Sequence, residues 1–332
     1  MPITSSGADE RPLRFPLTSR RRQVWIVSAV VLLFSLLGII LSWTDSQIGF
    51  PLRPGLDFTG GTQIQLERQC GDRCDQLKTP DVESVLQQIK LPAEGVQTSV
   101  PKLDTARVQL LDGGESLVLR MPALSAEQGQ AVITAMEPVA GPFLSGGQSV
   151  DTIGPSLGGQ LLRSSLISLL VAFAGIALYI SVRYDRRFAF LALVALAHDV
   201  VIVCGVFAWL GLTNGLEVDS LFAVALLTIA GYSVNDTVVV FDRIRERQRD
   251  DADRPLTVQV DRAVSATLTR TLYTSGTTLL PLLALIFFGG STLFWFAIAL
   301  ALGVVVGSWS SIALAPSLLS LWPSRTSAAA SA

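Results

Sequence analysis

The sequence predicts a polytopic α-helical membrane protein with six transmembrane helices and one external α+β domain, ferredoxin-like (βαββαβ) in order, between helices 1 and 2. Three observations predict it. Half of the 332 residues are hydrophobic and 16% are charged, against about 25% in a soluble globular chain. Six apolar runs are long enough to cross ~30 Å of hydrocarbon. Between the first and second runs, residues 44–160 have soluble composition and contain no stretch that could span.

Residues 1–22 are a basic tail with arginines at 11, 14, 20, 21 and 22, which the positive-inside rule assigns to the cytosol. Gln23–Trp43 (residues 23–43) is the first transmembrane helix, with Trp25 and Trp43 at the depths where interfacial aromatics sit. It is too long for a signal-peptide core and lacks a small-x-small cleavage site, so it reads as an uncleaved anchor.

In the 44–160 domain, Thr62–Glu67 alternates polar and apolar with Ile64 and Leu66 inward, the period of a half-buried strand. Thr79-Pro80-Asp81 opens a helix, with Thr79 as its cap and Val82, Val85, Leu86 and Ile89 as its buried stripe. Strands at Arg107–Leu111 and Ser116–Met121 flank the hairpin signal Asp112-Gly113-Gly114. Ser125 to Gln128 is a capping box for a second helix, and Gln148–Ile153 is the last strand. Cys70 and Cys74 suit a short local disulfide if the domain faces an oxidising compartment, pinning little more than their own loop. No other Cys or His in the domain could complete a metal site.

Helices 2–6 occupy 161–323, with spans at Leu166–Val182, Phe188–Leu212 and Ser220–Phe241 and a charge-free stretch from Thr271 that divides at Gly289–Thr292. A cytosolic loop, 242–269, separates the fourth and fifth helices, and 324–332 is a cytosolic tail. Arginine fills the N-terminal tail, the 183–187 turn and the 242–270 segment, while the turns near 213–219 and 289–292 contain none. Both termini are therefore expected in the cytosol and the 44–160 domain on the far side, periplasmic in a bacterium.

A carboxylate at mid-bilayer costs roughly 2.5–3.5 kcal/mol on insertion scales, so Asp236 in the fourth span requires a reason. Thr228, Tyr232, Asn235 and Asp236 recur at helical spacing, and Thr267, Arg270, Thr271, Thr274, Thr277 and Thr278 make a matching stripe on the fifth helix. The two helices run in opposite directions, which brings Asp236 and Arg270 to equal depth as an expected pair. Two readings stay open: a proton relay in a hydrated seam, or a permanent salt bridge that fixes packing. Arg270 could also snorkel to headgroups. His198-Asp199 in the third span are adjacent, cannot share one helix face, and so make no ready dyad; Asp199 either joins the seam or packs. His198 is the only histidine, which excludes a multi-histidine metal centre, and no cofactor is expected. Ala299, Gly303, Gly307, Ser311 and Ala315 form a small-residue ridge for packing within the bundle or against a partner. Gly-rich phosphate loops, HExxH, GxSxG and the GxGD of intramembrane proteases are absent, so no enzyme is expected.

Five blocks carry a family resemblance: Gly55-Leu-Asp57-Phe58-Thr-Gly60-Gly61; Ile153-Gly-Pro-Ser-Leu-Gly158; His198-Asp199; Gly231-Tyr-Ser-Val-Asn-Asp-Thr237 with Phe241 to Glu246; and Thr269-Arg-Thr271 with Thr274 to Thr278. In this order they resemble the SecF subunits of the bacterial Sec protein translocase, in the SecD/SecF family, which is related to the resistance-nodulation-division exporters. The resemblance implies work with SecD beside the SecYEG channel, using the proton motive force to draw preproteins outward across the inner membrane. It implies proton-pathway roles for Asp236 and Arg270, with Asp199 a further polar motif position on that pathway, and a structural role for Gly55, Asp57, Phe58, Gly60 and Gly61; the polar stripes read above make Asn235, Tyr232, Thr271 and Thr274 its supporting seam. Membrane lipid is the other expected partner, and nucleic acid is not. A proton-driven exporter half for small molecules or lipids is the alternative. One bundle of six helices is half of such a transporter, so a partner bundle is expected in either case. The Cys70–Cys74 loop and Val96–Thr105 look longer than is usual for the family.

Overall fold

A computed structural model describes residues 16–46, 48–92, 101–103 and 106–321. The first arginines of the basic tail, the 324–332 tail and most of Val96–Thr105 lie outside the described residues. Two compact units result: a helical one built from residues before Pro54 and after Leu166, and a second over Pro54–Leu166.

Six helices are long and apolar enough to cross a membrane. They are α1 (Arg21–Thr44), α5 (Pro155–Arg183), α6 (Arg186–Asn214), α7 (Ser220–Asp250), α8 (Leu256–Phe288), and α9 (Gly290–Trp309) continued through a π turn, Ser310–Leu314, into α10 (Ala315–Leu319). The segment 242–269, expected as a loop, is helical on both sides of a turn at 251–255. Charged residues project from these helix ends without breaking them: Arg247 pairs with Asp251 at 3.8 Å, and Arg262 with Asp251 at 3.3 Å. Arg270 consequently sits within α8 instead of heading it.

Small residues set the closeness of the packing. The buried positions of α1 are Val24, Ser28, Ser35, Gly38 and Ser42. A Cβ at Gly205 of α6 would collide with Ser35, and one at Gly38 would come within 2.6 Å of the Trp209 ring. Only backbone-close contact, which small residues permit, accounts for both. Trp209 stacks on Phe34 at 4.8 Å and donates its indole N–H to the Phe34 carbonyl. The α9 ridge packs inward: a Cβ at Gly303 would strike Ile229 of α7, and Ala299, Ser311 and Ala315 are fully buried. Of its two readings, the structure supports packing within the bundle.

The second unit has a four-stranded antiparallel sheet in the order β2-β3-β1-β4, from β1 (Gly61–Arg68), β2 (Arg107–Leu111), β3 (Ser116–Met121) and β4 (Phe143–Ile153). Helices α3 (Thr79–Gln88) and α4 (Ala126–Ala140) supply its core partners: Ile64, Leu66, Leu117 and Leu119 are buried with Val82, Leu86, Val132 and Met136. The Ser125–Gln128 capping box forms as expected. At α3, Lys78 is the cap and Thr79 already lies in the first turn, because Asp81 reaches back to the Lys78 N–H at 3.3 Å. β4 begins five residues earlier than Gln148, at Phe143.

Two sequence motifs interlock in this unit. The block from Gly55 forms a helical turn, α2 (Leu56–Thr59), closed by Gly60 at φ 68°. A Cβ on Gly60 would stand 2.8 Å from Pro155 Cα, and one on Gly158 would stand 2.7 Å from the Gly60 nitrogen. Glycine at both places lets the start of α5 lie directly on the turn before β1. Cys70 and Cys74 are joined by a disulfide. Beside it, Arg68 turns inward at 9% exposure and donates to the carbonyls of Ala140 (2.7 Å), Gly114 (2.6 Å) and Cys74 (3.1 Å). Burial without a counter-charge pulls its guanidinium below the ordinary arginine range.

Candidate functional site: a polar seam within the bundle

Asp236 is 3% exposed on α7, and its Oδ2 has no hydrogen-bond partner among the described residues. Arg270 lies within electrostatic reach of it but on an exposed face of α8. No ion pair joins the two among the described residues: the expected partners face each other in an open arrangement. Position explains it: Arg270 stands well inside a long helix and projects from its outer side. Asn235 and Thr274 are exposed as well, whereas Thr271 is buried with its hydroxyl unpartnered among the described residues.

The seam between α7 and α8 does form deeper in. Tyr232 donates to Ser275 Oγ at 3.1 Å, and Ser275 meets Ser308 of α9 at 2.6 Å. Thr274 and Ser275 each also donate back to the Thr271 carbonyl. Ser275 and Ser308 were not singled out in the sequence, although Ser275 continues the Thr267 and Thr271 spacing; Ser308 stands alone in the apolar run 293–309.

Asp199, fully buried on α6, has three side-chain partners. Its Oδ2 accepts from Ser233 Oγ of α7 at 2.5 Å and from Ser310 Oγ of the π turn at 2.7 Å. His198 Nδ1 lies 2.9 Å from Oδ1, which corrects the expectation that adjacent residues form no dyad. Neighbours on a helix point about 100° apart, but the imidazole bridges that angle from the side. The π turn widens the helix so that Ser310 and Ser311 both face inward, and Ser311 meets Thr237 of α7 at 3.0 Å. His198 Nε2 is buried and unpartnered among the described residues.

Beyond the spans, Tyr184 is buried between the Arg183 and Arg245 guanidinium groups, 5.0 and 5.4 Å from its ring. Burial, then Asp242 alongside, pushes its phenol up from the usual 10.0. Thr18 ties the start of α1 to α8 by two bonds to Asp261, 2.9 and 2.6 Å. Among the described residues no cluster of His, Cys, Asp or Glu could hold a metal ion.

These features define a class: a multi-pass membrane protein with an α+β unit inserted after its first helix and ionisable groups kept inside its bundle. The chain belongs to the SecD/SecF family. Residues 144–325 match the protein export membrane protein SecD/SecF C-terminal family, and residues 46–71 match the SecD/SecF GG motif. The "Protein translocase subunit SecF" of Prochlorococcus marinus is 61% identical over 92% of this chain and 95% of that protein. The same-named Pseudomonas aeruginosa protein is 35% identical over 91% of this chain and 90% of its own length. The crystal structure of SecDF, a translocon-associated membrane protein from Thermus thermophilus, superposes with a TM-score of 0.73 at 31% identity. That alignment takes in 92% of this chain, which spans 38% of the SecDF chain.

Proposed function

We propose that the protein is an accessory membrane subunit of the Sec protein-export machinery that couples proton motive force to late preprotein translocation, together with SecD. The observation that carries the coupling is the pairing state of Asp236: buried, with one oxygen unpartnered, and facing an arginine that has not closed on it. A permanent structural bridge would be closed. An open carboxylate within reach of a cation can take up and release a proton as the cation approaches and withdraws. Each charge moved fully across 100 mV is worth about 2.3 kcal/mol, so a few protons suffice to drive a domain movement.

SecD is the partner bundle in this reading. Asn235, Arg270 and Thr274 are exposed polar groups at membrane depth, a costly arrangement that a second six-helix bundle would relieve. Thermus SecDF carries more than twice this length in one chain, which fits two halves. Family membership supports SecYEG and unfolded preproteins as the further partners in this reading. The arginine-rich ends of α5, α7 and α8 favour cytosolic termini and a periplasmic 44–160 domain in the bacterial inner membrane. The strand order β2-β3-β1-β4 with one helix in each crossover supports a ferredoxin-like fold for that domain.

The test is Asp236→Asn in cells. Build-up of uncleaved secretory precursors is expected; heightened sensitivity to small toxic molecules with normal secretion would favour an exporter instead.

A further inference from the structure

The cluster around Asp199 has a feature that the coupling residues do not explain. Hydroxyls from two separate elements converge on Asp199 Oδ2, bonds that are strongest when the carboxylate is ionised. Beside it, His198 is 5% exposed, engages Oδ1 through Nδ1, and leaves Nε2 buried and unpartnered among the described residues. Ser310 already has a second acceptor in reach, the Gly307 carbonyl at 3.1 Å. Ser233, the other donor, precedes Asp236 on α7 by about one turn. Charge elsewhere in the spans around α6 is sparse: α1 has none from Gln23 to Thr44, and α9, the π turn and α10 have none. Asp236 of α7 and Arg270 of α8 are charged groups at membrane depth, and Cys204 of α6, Tyr232 of α7 and Tyr273 of α8 are titratable side chains there.

We infer that His198 and Asp199 form a second proton-binding site whose occupancy loosens the π turn from α6. The inference rests on the proton-coupled reading above. One proton enters at Nε2, giving an imidazolium beside the carboxylate; passing the Nδ1 proton to Oδ1 leaves a neutral acid and a neutral imidazole protonated at Nε2. One proton is gained and no electron moves. Oδ2 is then a carbonyl oxygen, and the two serine bonds lose their charge assistance, which roughly doubles the strength of such bonds. Ser310 turns to Gly307, and the link from α6 to the π turn is released. The weakened Ser233 bond carries the state of Asp199 to α7, the helix that holds Asp236.

The experiment is pH-difference infrared spectroscopy of the full chain in lipid nanodiscs, reading protonated-carboxyl bands, with backbone amide exchange of residues 310–314 in the same samples. Two membrane-depth carboxyl bands are expected, one lost in Asp236→Asn and the other in Asp199→Asn. His198→Gln should move the midpoint of the second by about one pH unit or more, tenfold in proton affinity. Exchange over 310–314 should speed up severalfold on acidification in the unaltered chain and in Asp236→Asn. Ser310→Ala should keep the second band and lose that pH dependence, which preserves the test if Asp199→Asn does not fold. A spectrum with no carboxyl band sensitive to His198→Gln, or exchange over 310–314 indifferent to pH, would make the cluster a permanent packing lock and overturn the inference. Neither readout requires export, so this failure is distinct from failure of the proposed function.

Discussion

Residues that look alike by burial serve different ends here. Arg68 is a charge turned inward to satisfy three carbonyls from three separate segments: the end of α4, the β2–β3 turn and the disulfide loop. Arg68→Met would orphan all three, at about 1–3 kcal/mol for each group left unsatisfied in the interior. A thermal-unfolding scan of the purified protein should show the second unit melting earlier, and an unchanged transition would remove Arg68 from its structural role. Tyr184 gives a pH prediction. Its phenol is held above the usual 10.0, so the unfolded chain loses that proton first, and the associated stability is complete below pH 10 and lost as pH rises beyond it. Unfolding midpoints measured from pH 9 to 11 should fall less steeply in Tyr184→Phe than in the unaltered protein. Asp236 and Asp199 were legible as singular residues because a carboxylate in an apolar run is anomalous. Their surroundings were not, because spacing along one helix does not say which hydroxyl of another helix a side chain meets: Ser275 follows Thr271 by one turn, yet its partner Ser308 lies on α9.

At the scale of elements, period decided what could be read. The alternation of Thr62–Glu67 fixed which face of β1 is buried, and the Ser125 box fixed the start of α4. Helix lengths were misjudged wherever charge replaced hydrophobicity: α7 runs to Asp250 and α8 begins at Leu256, since arginine and glutamate are good helix formers that end the apolar run without ending the helix. The π turn had no sequence signature at all, yet it delivers Ser310 and Ser311 to the core. The α1–α6 contact depends on Gly205 lying against Ser35. Gly205→Val should force the helices apart at a cost of about 1–3 kcal/mol, the usual penalty of overpacking, while the chain still inserts. Detergent-solubilised protein should unfold at lower temperature; a melting curve matching the original would mean that the two helices are not in backbone contact.

For the whole molecule, the α+β unit and the bundle are separate compact bodies, and the residues of the proposed coupling lie in the bundle. The proposed two-bundle assembly would cover the exposed polar groups on α7 and α8, and this chain spans 38% of the SecDF chain. Copurification of the membrane-extracted chain with a homologous six-helix chain is expected, and a stable solitary monomer would argue against a two-bundle assembly. The most direct measurement of the central claim uses inverted membrane vesicles in which a preprotein has been stalled partway across and ATP then removed. Imposing a proton gradient should advance the stalled chain when position 236 is aspartate and leave it in place when that residue is asparagine. Equal advance in the two would contradict proton coupling through Asp236.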